Sequence, residues 1–514
     1  MRPLRLLTSI CFASTAFSSA CKNLTSLSGT ADLDTWLITS SDTSSVGNTT
    51  YCDVAAKVGG RIRAWFRFPD ADVWNGRYVQ IGCGGACGYN PFTKTYFAID
   101  DALQAGYALG TTDMGVPRST GNFGPMHNDL QMRTDWGYLA THLTAVMGKQ
   151  VLASYYGSEA LFSYHLGSST GGRQSLVEAQ RYPEDFNGVF AIAPAYNETG
   201  VTTYSITWSA RAALLDETNF TPAITDVEAD IIHDAVLGLC DGLDGLEDGI
   251  VSFPRLCRLN LDRLVCSANS TQHATTGTKC ISSTAAEAAK KIYSGPTSLT
   301  GVKQVPEGLL PGSEMAWKGT YIPSTVGQPS TWYNFATSFL SFYAFWPDPA
   351  SPLTPFSINL SDPELLRKTS KTENLEYGGV ADMDKYRILG GKIILTQGLQ
   401  DIAVAPGFAR DLWERVGAAM GPSGRDDFMR FYELPGVNHV SGGPGVDQYD
   451  ALGLLVDWVE NDIAPEVVVA SHEDAAGNVE FTRPLYRYPF VAGYSGTGNV
   501  ADWRSFVPVN GEAP

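Results

Sequence analysis

A serine flanked by glycines stands at residues 167–171, Gly167-Ser168-Ser169-Thr170-Gly171. An apolar run over 160–166 leads into this motif, and apolar residues at helical spacing follow it directly. A strand, a tight turn and a helix in this order form a nucleophile elbow, whose turn holds the serine hydroxyl above the end of the strand. The pattern therefore predicts Ser169 as a catalytic nucleophile.

A serine hydroxyl needs a general base at neutral pH, and the base needs a carboxylate to orient it. Apolar runs at 392–396 and 428–434 have the pattern of strands, and each is followed by a loop with a polar residue, Asp401 after the first and His439 after the second. The order serine, acid, histidine is typical of sheets that carry such an elbow. We therefore predict Asp401 as the acid and His439 as the base.

The negative charge that develops on a substrate carbonyl oxygen needs backbone N–H donors. Thr170 directly follows the nucleophile and is expected to supply the first. The second is expected from the glycine-rich loop 82–88, where Gly84 and Gly85 are equal candidates. A tight turn closed by a Cys83–Cys87 bridge is the structural alternative for this loop, and both interpretations can hold together.

Strands and helices alternate around these residues. Residues 61–68 alternate apolar with mostly charged side chains, which is the period of a half-buried strand. Strands separated by helices predict an α/β fold with a mainly parallel sheet covered on both faces. Residues 21–59 are rich in Ser and Thr and are expected to form loops. The other predicted strands are 77–81, 107–112, 160–166 and 188–193, and the predicted helices are 135–156, 405–418 and 449–460.

The alternation fades between residues 200 and 385, a segment with four cysteines and an aromatic cluster at 332–346. We interpret it as an inserted lid over the strand ends, where ligands bind in such sheets. Its aromatic side chains either pack against a substrate ring or form the lid's own core. The predicted organisation is a signal peptide at 1–20, a catalytic core of 21–199 and 386–514, and a lid at 200–385.

Composition and charge exclude some classes of partner and indicate the compartment of the protein. The 514 residues carry a formal net charge of −18, which argues against nucleic acid or an anionic membrane as a partner. Residues 1–20 combine Arg2 and Arg5 with an apolar stretch and small residues, as secretory signals do. We therefore expect a secreted, extracellular glycoprotein. Its six candidate glycosylation sites are Asn23, Asn48, Asn197, Asn219, Asn269 and Asn359.

Nine cysteines become eight when Cys11 leaves with the signal, an even number that suits an oxidising compartment. Spacing alone does not fix the pairing. We predict the short-range pairs, and a zinc site is a poor alternative because no histidine lies near these cysteines at ligand spacing. The predicted pairs are Cys21–Cys52, Cys83–Cys87, Cys240–Cys257 and Cys266–Cys280.

An acidic, glycine-containing stretch occupies residues 240–250 in the predicted lid. Closely spaced carboxylates with glycines between them suit a hard cation, because side-chain and carbonyl oxygens can both reach it. The stretch lacks the terminal glutamate of an EF-hand loop. A solvated acidic turn is the alternative interpretation.

Taken together, these motifs resemble the fungal tannase and feruloyl esterase family over nearly the whole mature chain. The resemblance implies an α/β-hydrolase core with a lid, serine esterase activity on phenolic acid esters, a structural Ca²⁺ in the lid and no organic cofactor. It places the triad on Ser169, Asp401 and His439. The matching motifs are Gly171-Gly172-Arg173-Gln174, residues 178–186, Trp74-Asn75-Gly76-Arg77, the loop 82–88, Thr112-Asp113, residues 241–250 and Arg483-Pro484-Leu485. The implied calcium ligands are the side chains of Asp241, Asp244 and Asp248 and the carbonyls of Leu246 and Ile250.

The chain departs from the family at two disulfides. Family cysteines directly before the serine and after the histidine correspond here to Ser168 and Val440. A second family bridge near the C-terminus is also missing, with Tyr486 at one end and Val507-Pro508 at the other. We therefore predict that packing and hydrogen bonds alone hold Ser169 and His439 together.

These observations predict a secreted serine esterase that releases hydroxycinnamic acids such as ferulic acid from small phenolic esters or feruloylated plant cell-wall polysaccharides. The reaction would pass through an acyl-enzyme on Ser169. The rivals within the enzyme class are a tannase, which cleaves galloyl esters, and a broad aryl carboxylesterase. The alternative from another class is a non-catalytic secreted binding protein on a hydrolase scaffold.

Overall fold

A single ten-stranded sheet organises the chain in a computed structural model that describes residues 20–93, 97–117, 122–267, 280–297 and 301–511. Residues 1–19 of the expected signal peptide and the sequon at Asn269 lie outside this range. The strand order is β1-β2-β3-β4-β6-β5-β7-β8-β9-β10. The strands are β1 Ser28–Ala31, β2 Asp34–Val46, β3 Thr49–Val58, β4 Ile62–Pro69, β5 Arg77–Ile81, β6 Ala108–Thr112, β7 Phe162–Ser168, β8 Gly188–Ile192, β9 Lys392–Gly398 and β10 Met429–Leu434.

The half of the sheet from β6 to β10 is parallel throughout. Parallel strands bring their carboxyl ends to one edge, so the segments that leave β5, β7, β9 and β10 meet there. Side chains alternate between two buried clusters along these strands: Val189 and Ala191 join one, whereas Phe190 and Ile192 join the other. The predicted strands and the two covered faces of the sheet are thus confirmed.

The expectation of loops over residues 21–59 was wrong. Strands β1, β2, β3 and β4 pair antiparallel and extend the sheet on its other side. Most Ser and Thr side chains of β2 point to solvent, while Trp36 and Ile38 are buried. Threonine favours extended backbone, and a strand with one face in water needs few apolar residues. The high Ser and Thr content of these residues was therefore wrongly interpreted as typical of loops.

Helices cover the sheet, and residues 200–385, where described, add no strand to it. Two separate hairpins follow β10: β11 Val467–Glu473 with β12 Val479–Tyr486, and β13 Phe490–Tyr494 with β14 Phe506–Asn510. The α-helices are Ile99–Gln104, Leu130–Thr134, Ala140–Tyr156, Thr170–Arg181, Thr207–Ala212, Asp226–Cys240, Ser283–Ser294, Glu314–Trp317, Thr331–Phe342, Pro363–Glu376, Asp384–Ile388, Gly407–Met420, Pro422–Asp426 and Ala451–Asn461. Asp135–Leu139 and Thr199–Ile206 are π-helical, and the 3₁₀ turns are Leu24–Ser26, Pro91–Thr93, Gly124–Met126, Asp241–Asp244, Pro254–Leu256, Leu261–Leu264 and Trp503–Ser505.

The disulfide predictions are confirmed: the pairs are Cys21–Cys52, Cys83–Cys87, Cys240–Cys257 and Cys266–Cys280. At the position of the missing C-terminal family bridge, the Tyr486 hydroxyl donates to the Phe506 carbonyl at 3.1 Å. A hydrogen bond thus joins β12 to β14 where the family resemblance implies a disulfide.

Four of the six candidate glycosylation sites, Asn23, Asn48, Asn219 and Asn359, are exposed. Asn197 differs, because its side chain is half-buried and accepts a hydrogen bond from the Gly200 amide at 2.7 Å. This environment leaves little room for a glycan at Asn197.

None of the helices in the described parts of the chain combines the length and apolarity needed to cross a bilayer.

Candidate active site

Ser169 stands at the turn between β7 and the helix Thr170–Arg181, with φ +59° and ψ −122°. This conformation is sterically demanding for any residue other than glycine. Hydrogen bonds hold it on both sides: the Ser169 amide donates to the Ile192 carbonyl at 2.8 Å, and the Ser169 carbonyl accepts from the Arg173 amide at 3.0 Å. A Cβ on Gly167 would lie 2.0 Å from the Gly171 oxygen. The glycine motif is therefore a packing requirement of the turn.

The three predicted catalytic side chains meet at the carboxyl edge of the sheet. His439 Nε2 lies 2.9 Å from Ser169 Oγ, and His439 Nδ1 lies 2.8 Å from Asp401 Oδ2. Asp401 follows β9 and His439 follows β10. With Nδ1–H donating to Asp401, Nε2 is the nitrogen that can take the proton of the serine. The structure thus brings together side chains that are 232 and 38 residues apart in sequence.

Asp401 is completely buried and receives donors on both oxygens. Its Oδ1 accepts from the amides of Ala403 and Val404 at 2.8 and 2.9 Å. Its Oδ2 accepts from Gln397 Nε2 at 3.0 Å as well as from His439. These bonds fix the carboxylate in the plane needed to orient the imidazole.

The electrostatic environment makes His439 a stronger base than a free imidazole. Burial lowers the pKa of His439, but the charge and hydrogen bond of Asp401, together with the charge of Glu198, outweigh burial and raise the pKa above its ordinary value of 6.5. Negative charge beside the ring stabilises the imidazolium that forms when the serine proton is transferred.

The predicted oxyanion donors lie beside the serine. Thr170 begins the helix after the elbow, so its amide has no acceptor inside that helix. Of the two glycine candidates, Gly84 donates its amide to the Tyr89 hydroxyl at 2.9 Å. Gly85 has φ +59° and lines the same cavity. Because the Gly84 amide already donates to Tyr89, we favour Gly85 as the second oxyanion donor. The Cys83–Cys87 disulfide closes the same loop into a tight turn, so the functional and the structural interpretations of this loop hold together.

A cavity of about 490 Å³ opens above the serine. The lid contributes two rings to it, Trp332 and Phe335, which contact each other edge to face. Phe339 and Tyr343 from the same aromatic cluster are instead buried against the core. Both interpretations of the cluster therefore apply, each to different residues. The cavity is lined by Gly84, Gly85, Tyr89, Thr93, Ser168, Ser169, Thr170, Ala195, Glu198, Val201, Ile206, Trp332, Phe335, Ala403, Val404, His439 and Val440.

The nucleophile loop and the histidine loop, for which the family resemblance implies a disulfide, are joined here by the His439–Ser169 hydrogen bond, and each is also tied to a neighbouring segment. The Gln400 amide in the acid loop donates to the Val437 carbonyl in the histidine loop at 3.0 Å. The Ala195 amide donates to the Ser169 carbonyl at 3.2 Å. Ser168 and Val440 both line the cavity, and Val440 has φ +70°, which is unusual for a β-branched residue. These loops are connected here without sulfur.

The carboxylates of the acidic stretch 240–250 have hydrogen-bond or ion-pair partners within the protein. Asp241 accepts from the Gly249 amide at 2.9 Å, Asp244 from the Ser252 hydroxyl at 2.7 Å, and Asp248 forms an ion pair with Arg483 at 2.8 Å. Burial, with the charges of Asp248 and Asp241, raises the pKa of Asp244 to about 6 although hydrogen bonds from Ser252 and Leu246 oppose this. Three closely spaced carboxylates, of which only Asp248 is described in an ion pair, fit a hard divalent cation in their chemistry.

The carboxylate oxygens of Asp241, Asp244 and Asp248 do not all lie within 4.8 Å of one another. Among the residues described, the group with three ligand atoms all within 4.8 Å of one another is His142, Glu178 and Asp185, elsewhere in the core. There His142 Nδ1 lies 2.6 Å from Asp185, and the Lys149 ammonium is 3.8 Å from the same carboxylate. The Lys149 ammonium therefore already supplies a positive charge beside the His142–Glu178–Asp185 group.

Sequence reasoning missed two polar residues of the site, Gln397 and Glu198. Gln397 lies in β9, four residues before the acid, and its amide bonds to Asp401. Glu198 is a carboxyl in the cavity wall close to the largely apolar stretch 199–206. The only sequence signal for Glu198 was its position directly before this largely apolar stretch. The signal is weak because most glutamate side chains at such positions face solvent.

A serine, a histidine and a buried aspartate joined in this order at the carboxyl edge of a parallel sheet are typical of α/β-hydrolases that cleave esters. Residues 46–509 match the family model described as tannase and feruloyl esterase. The chain therefore belongs to this family and is a carboxylic ester hydrolase.

Three relatives indicate the range of activities around the chain. "Probable feruloyl esterase B-2" of Neosartorya fischeri is 29% identical over 460 residues, covering 86% of this chain and 82% of the relative. "Probable feruloyl esterase B-1" of Aspergillus flavus is 29% identical over 449 residues, covering 84% and 80%. The mono(2-hydroxyethyl) terephthalate hydrolase of Piscinibacter sakaiensis is 31% identical over 491 residues, covering 86% and 80%.

Solved structures share the fold. Feruloyl esterase B from Aspergillus oryzae superposes with a TM-score of 0.81 at 24% identity, covering 96% of this chain and all of that one. The tannin acyl hydrolase from Aspergillus niger superposes with a TM-score of 0.70 at 20% identity, covering 96% and 94%. The predicted α/β-hydrolase fold is confirmed.

Proposed function

We propose that the protein is a secreted feruloyl esterase that cleaves hydroxycinnamoyl esters of plant cell-wall polysaccharides through an acyl-enzyme. The observation that carries this proposal is the hydrogen-bonded chain Asp401–His439–Ser169 at the floor of a cavity with aromatic rings in its lid wall. Ser169 is the nucleophile, His439 the general base and then acid, and Asp401 the group that orients the imidazole.

In the first half-reaction, Ser169 Oγ attacks the ester carbonyl carbon while His439 Nε2 takes the hydroxyl proton. The carbonyl oxygen becomes an oxyanion, to which the Thr170 amide and the glycine loop donate. When the carbon–oxygen bond to the alcohol breaks, His439 returns the proton to the leaving oxygen. In the second half-reaction, water attacks the acyl-enzyme with His439 again as base, and the carboxylic acid leaves.

The cavity suits a lightly substituted aromatic acid. Trp332 and Phe335 can contact a phenolic ring edge-on or by stacking, and Val201 and Ile206 extend the apolar wall. Of the described residues that line the cavity, none is Lys or Arg. A second free carboxylate, as in a terephthalate monoester, would lack a cationic partner, and the three hydroxyls of a galloyl group would meet a mostly apolar wall. These features favour feruloyl esters over both alternatives.

A direct comparison of substrates tests this choice. Methyl ferulate, methyl gallate, mono(2-hydroxyethyl) terephthalate and a short alkyl ester should be assayed side by side at one enzyme concentration. We expect kcat/KM to be highest for methyl ferulate, by about tenfold or more, because one or two misplaced polar groups cost about 1–3 kcal/mol each. Fastest turnover of the gallate would make the protein a tannase, and comparable rates on all four would make it a broad aryl carboxylesterase.

Extracellular localisation is part of the proposal. Four disulfides and an expected N-terminal signal are typical of exported proteins. The test is detection of the protein in culture medium with its N-terminus at or near Cys21. Recovery of the full-length chain inside cells only would contradict it.

We also propose a structural Ca²⁺ bound by Asp241, Asp244 and Asp248 with the carbonyls of Leu246 and Ile250. The support is the family resemblance and the local excess of carboxylates, while the bonds described above require those oxygens to exchange partners on binding. When bound, the ion would neutralise this excess charge and crosslink the loop.

We expect chelation to lower the melting temperature by about 5 °C, because a ligand that binds only the folded state stabilises it by mass action. The rate per folded molecule should change little, since no residue of the loop is among the described lining of the cavity. Differential scanning calorimetry with and without chelator measures the first effect, and Asp244→Asn should abolish it. An equal loss of activity with no thermal shift would contradict the assignment.

A further inference from the structure

Glu198 is a carboxyl group in the wall of the catalytic cavity. It lies between β8 and the segment Thr199–Ile206, is 3% exposed, and lines the same cavity as Ser169 and His439. Among the described lining residues it alone has a carboxyl side chain. The hydrolytic steps assigned to Ser169, His439 and Asp401 do not require it.

The local structure holds Glu198 firmly in this position. Its Oε1 accepts a hydrogen bond from the Thr202 hydroxyl at 2.6 Å. The backbone amides of Glu198 and Thr199 donate to the two carboxylate oxygens of Glu376 at 3.0 and 2.9 Å. Because both the backbone and the side chain are tethered, the carboxyl group has little freedom to turn away from the cavity.

The second oxygen, Oε2, is buried and has no hydrogen-bond partner among the described residues. Burying a carboxylate oxygen without a donor is costly, so a folded protein keeps such a group only where something compensates. Thr202 satisfies only Oε1. Nearby positive charge is one way to compensate the ionised form of this carboxyl group.

Two positive groups face Glu198. One is Arg173, which is fully buried and donates its guanidinium to the carbonyls of Trp136 and Gly137. The other is His439 when protonated. Burial raises the pKa of Glu198, while the Thr202 hydrogen bond and the charges of Arg173 and His439 lower it, with a net rise. The negative groups nearby are Asp401, beside His439, and Glu376, beside Arg173.

Arg173 interacts with two acidic side chains, Glu198 and Glu376. Glu376 also faces Arg173, and burial raises the pKa of Glu376 to about 8 even though Arg173 and two backbone amides oppose this. The arginine thus already has one acidic neighbour. The catalytic histidine, which gains a positive charge in each half-reaction and lines the same cavity as Glu198, is the second positive group that a negative charge in this wall would stabilise.

We propose that Glu198 is a positioning residue for the hydrolysis, a second carboxylate whose fixed charge stabilises the imidazolium of His439 while Ser169 Oγ bonds to the substrate. The inference rests on the proposed roles of Ser169 and His439. Asp401 orients the ring through Nδ1, whereas Glu198 acts across the cavity wall through charge alone. The two carboxylates therefore have separable effects on the histidine.

Glu198→Gln tests the charge, because glutamine keeps the shape and can still accept from Thr202. The acid limb of the kcat/KM profile reports protonation of His439, and a nearby negative charge raises that midpoint. Removing the charge should therefore shift the acid limb to lower pH, by about 0.5–1 unit for a partly screened charge. The plateau value should fall about three- to tenfold because the imidazolium in the transition state is less stabilised.

Glu314→Gln is a matched control. Glu314 is also fully buried and loses the same charge, but its carboxylate contacts His233 at 2.8 Å in the lid and does not line the cavity. The acid limb of the kcat/KM profile of Glu314→Gln should therefore coincide with that of the unmodified enzyme. Active-site titration with a fluorophosphonate gives the concentration of competent enzyme, so partial unfolding of either variant does not distort the profiles.

An acid limb that stays in place in Glu198→Gln would overturn the inference, whatever happens to the plateau, and so would an equal shift in Glu314→Gln. A rise in KM confined to hydroxylated esters, with the limb unmoved, would make Glu198 a substrate contact and also overturn it. Ser169→Ala, assayed in parallel, separates this result from failure of the proposed function, because loss of its turnover shows that the triad chemistry holds.

Discussion

Ser169→Ala is expected to lower kcat on methyl ferulate by a factor of about 10⁴–10⁶ and to leave the melting temperature within about 1 °C of the unmodified protein. No other hydroxyl stands at the elbow apex 2.9 Å from His439 Nε2 among the described residues. Alanine keeps the Cβ of serine, so the strained backbone at φ +59° is no worse. The fold loses only one half-exposed hydroxyl.

The neighbouring Ser168 provides the matched control. Ser168 ends β7 and lines the cavity, but it precedes the turn. Ser168→Ala should keep turnover within about tenfold and should still be labelled by a fluorophosphonate, whereas Ser169→Ala should not be labelled. Labelling of Ser169→Ala, or turnover by it above about 1% of the unmodified rate, would remove Ser169 from the nucleophile role and favour the non-catalytic alternative.

Asp401→Asn should lower kcat by about 10⁴. The buried carboxylate accepts from His439 Nδ1 and from two backbone amides. A carboxamide has only one acceptor oxygen, and if this oxygen stays on the amides, the NH₂ group faces Nδ1. The imidazole then takes the tautomer with the proton on Nε2, which cannot accept from serine.

Measurement of kcat, with circular dichroism to verify the fold, checks this expectation. Asp427→Asn is a suitable control, because the Asp427 side chain is 59% exposed and its weak ion pair with Arg387 lies away from the cavity. The control should be as active as the unmodified enzyme. An Asp401→Asn variant that retains a tenth of the activity would show that another acid orients His439.

The triad could be predicted because each member is marked by local sequence. A run of apolar residues that ends in a turn identifies a strand end, and the ends of parallel strands converge. Ser169, Asp401 and His439 could therefore be placed at one edge of the sheet from the sequence alone. The strands at residues 21–59 were missed for the opposite reason. Their apolar positions, such as Trp36 and Ile38, are too few to stand out among polar side chains that face solvent.

The lining of the cavity could not be predicted, because it depends on tertiary packing. Trp332 and Phe335 face the cavity while Phe339 and Tyr343, four to eleven residues later on the same helix or at its end, pack into the core. Helical spacing identifies a face but not what that face meets. The same limit applies to Glu198, whose carboxyl could equally have pointed to water, and to the choice between Gly84 and Gly85, which depends on where the Tyr89 hydroxyl lies.

Each disulfide closes a short segment, with sequence separations of 31, 4, 17 and 14 residues. During vectorial synthesis, every bridge can therefore be oxidised before the polypeptide downstream of it has emerged. His439 and β10 emerge only after the last cysteine, Cys280, has passed. Formation of the disulfides therefore does not require the catalytic centre to be assembled first.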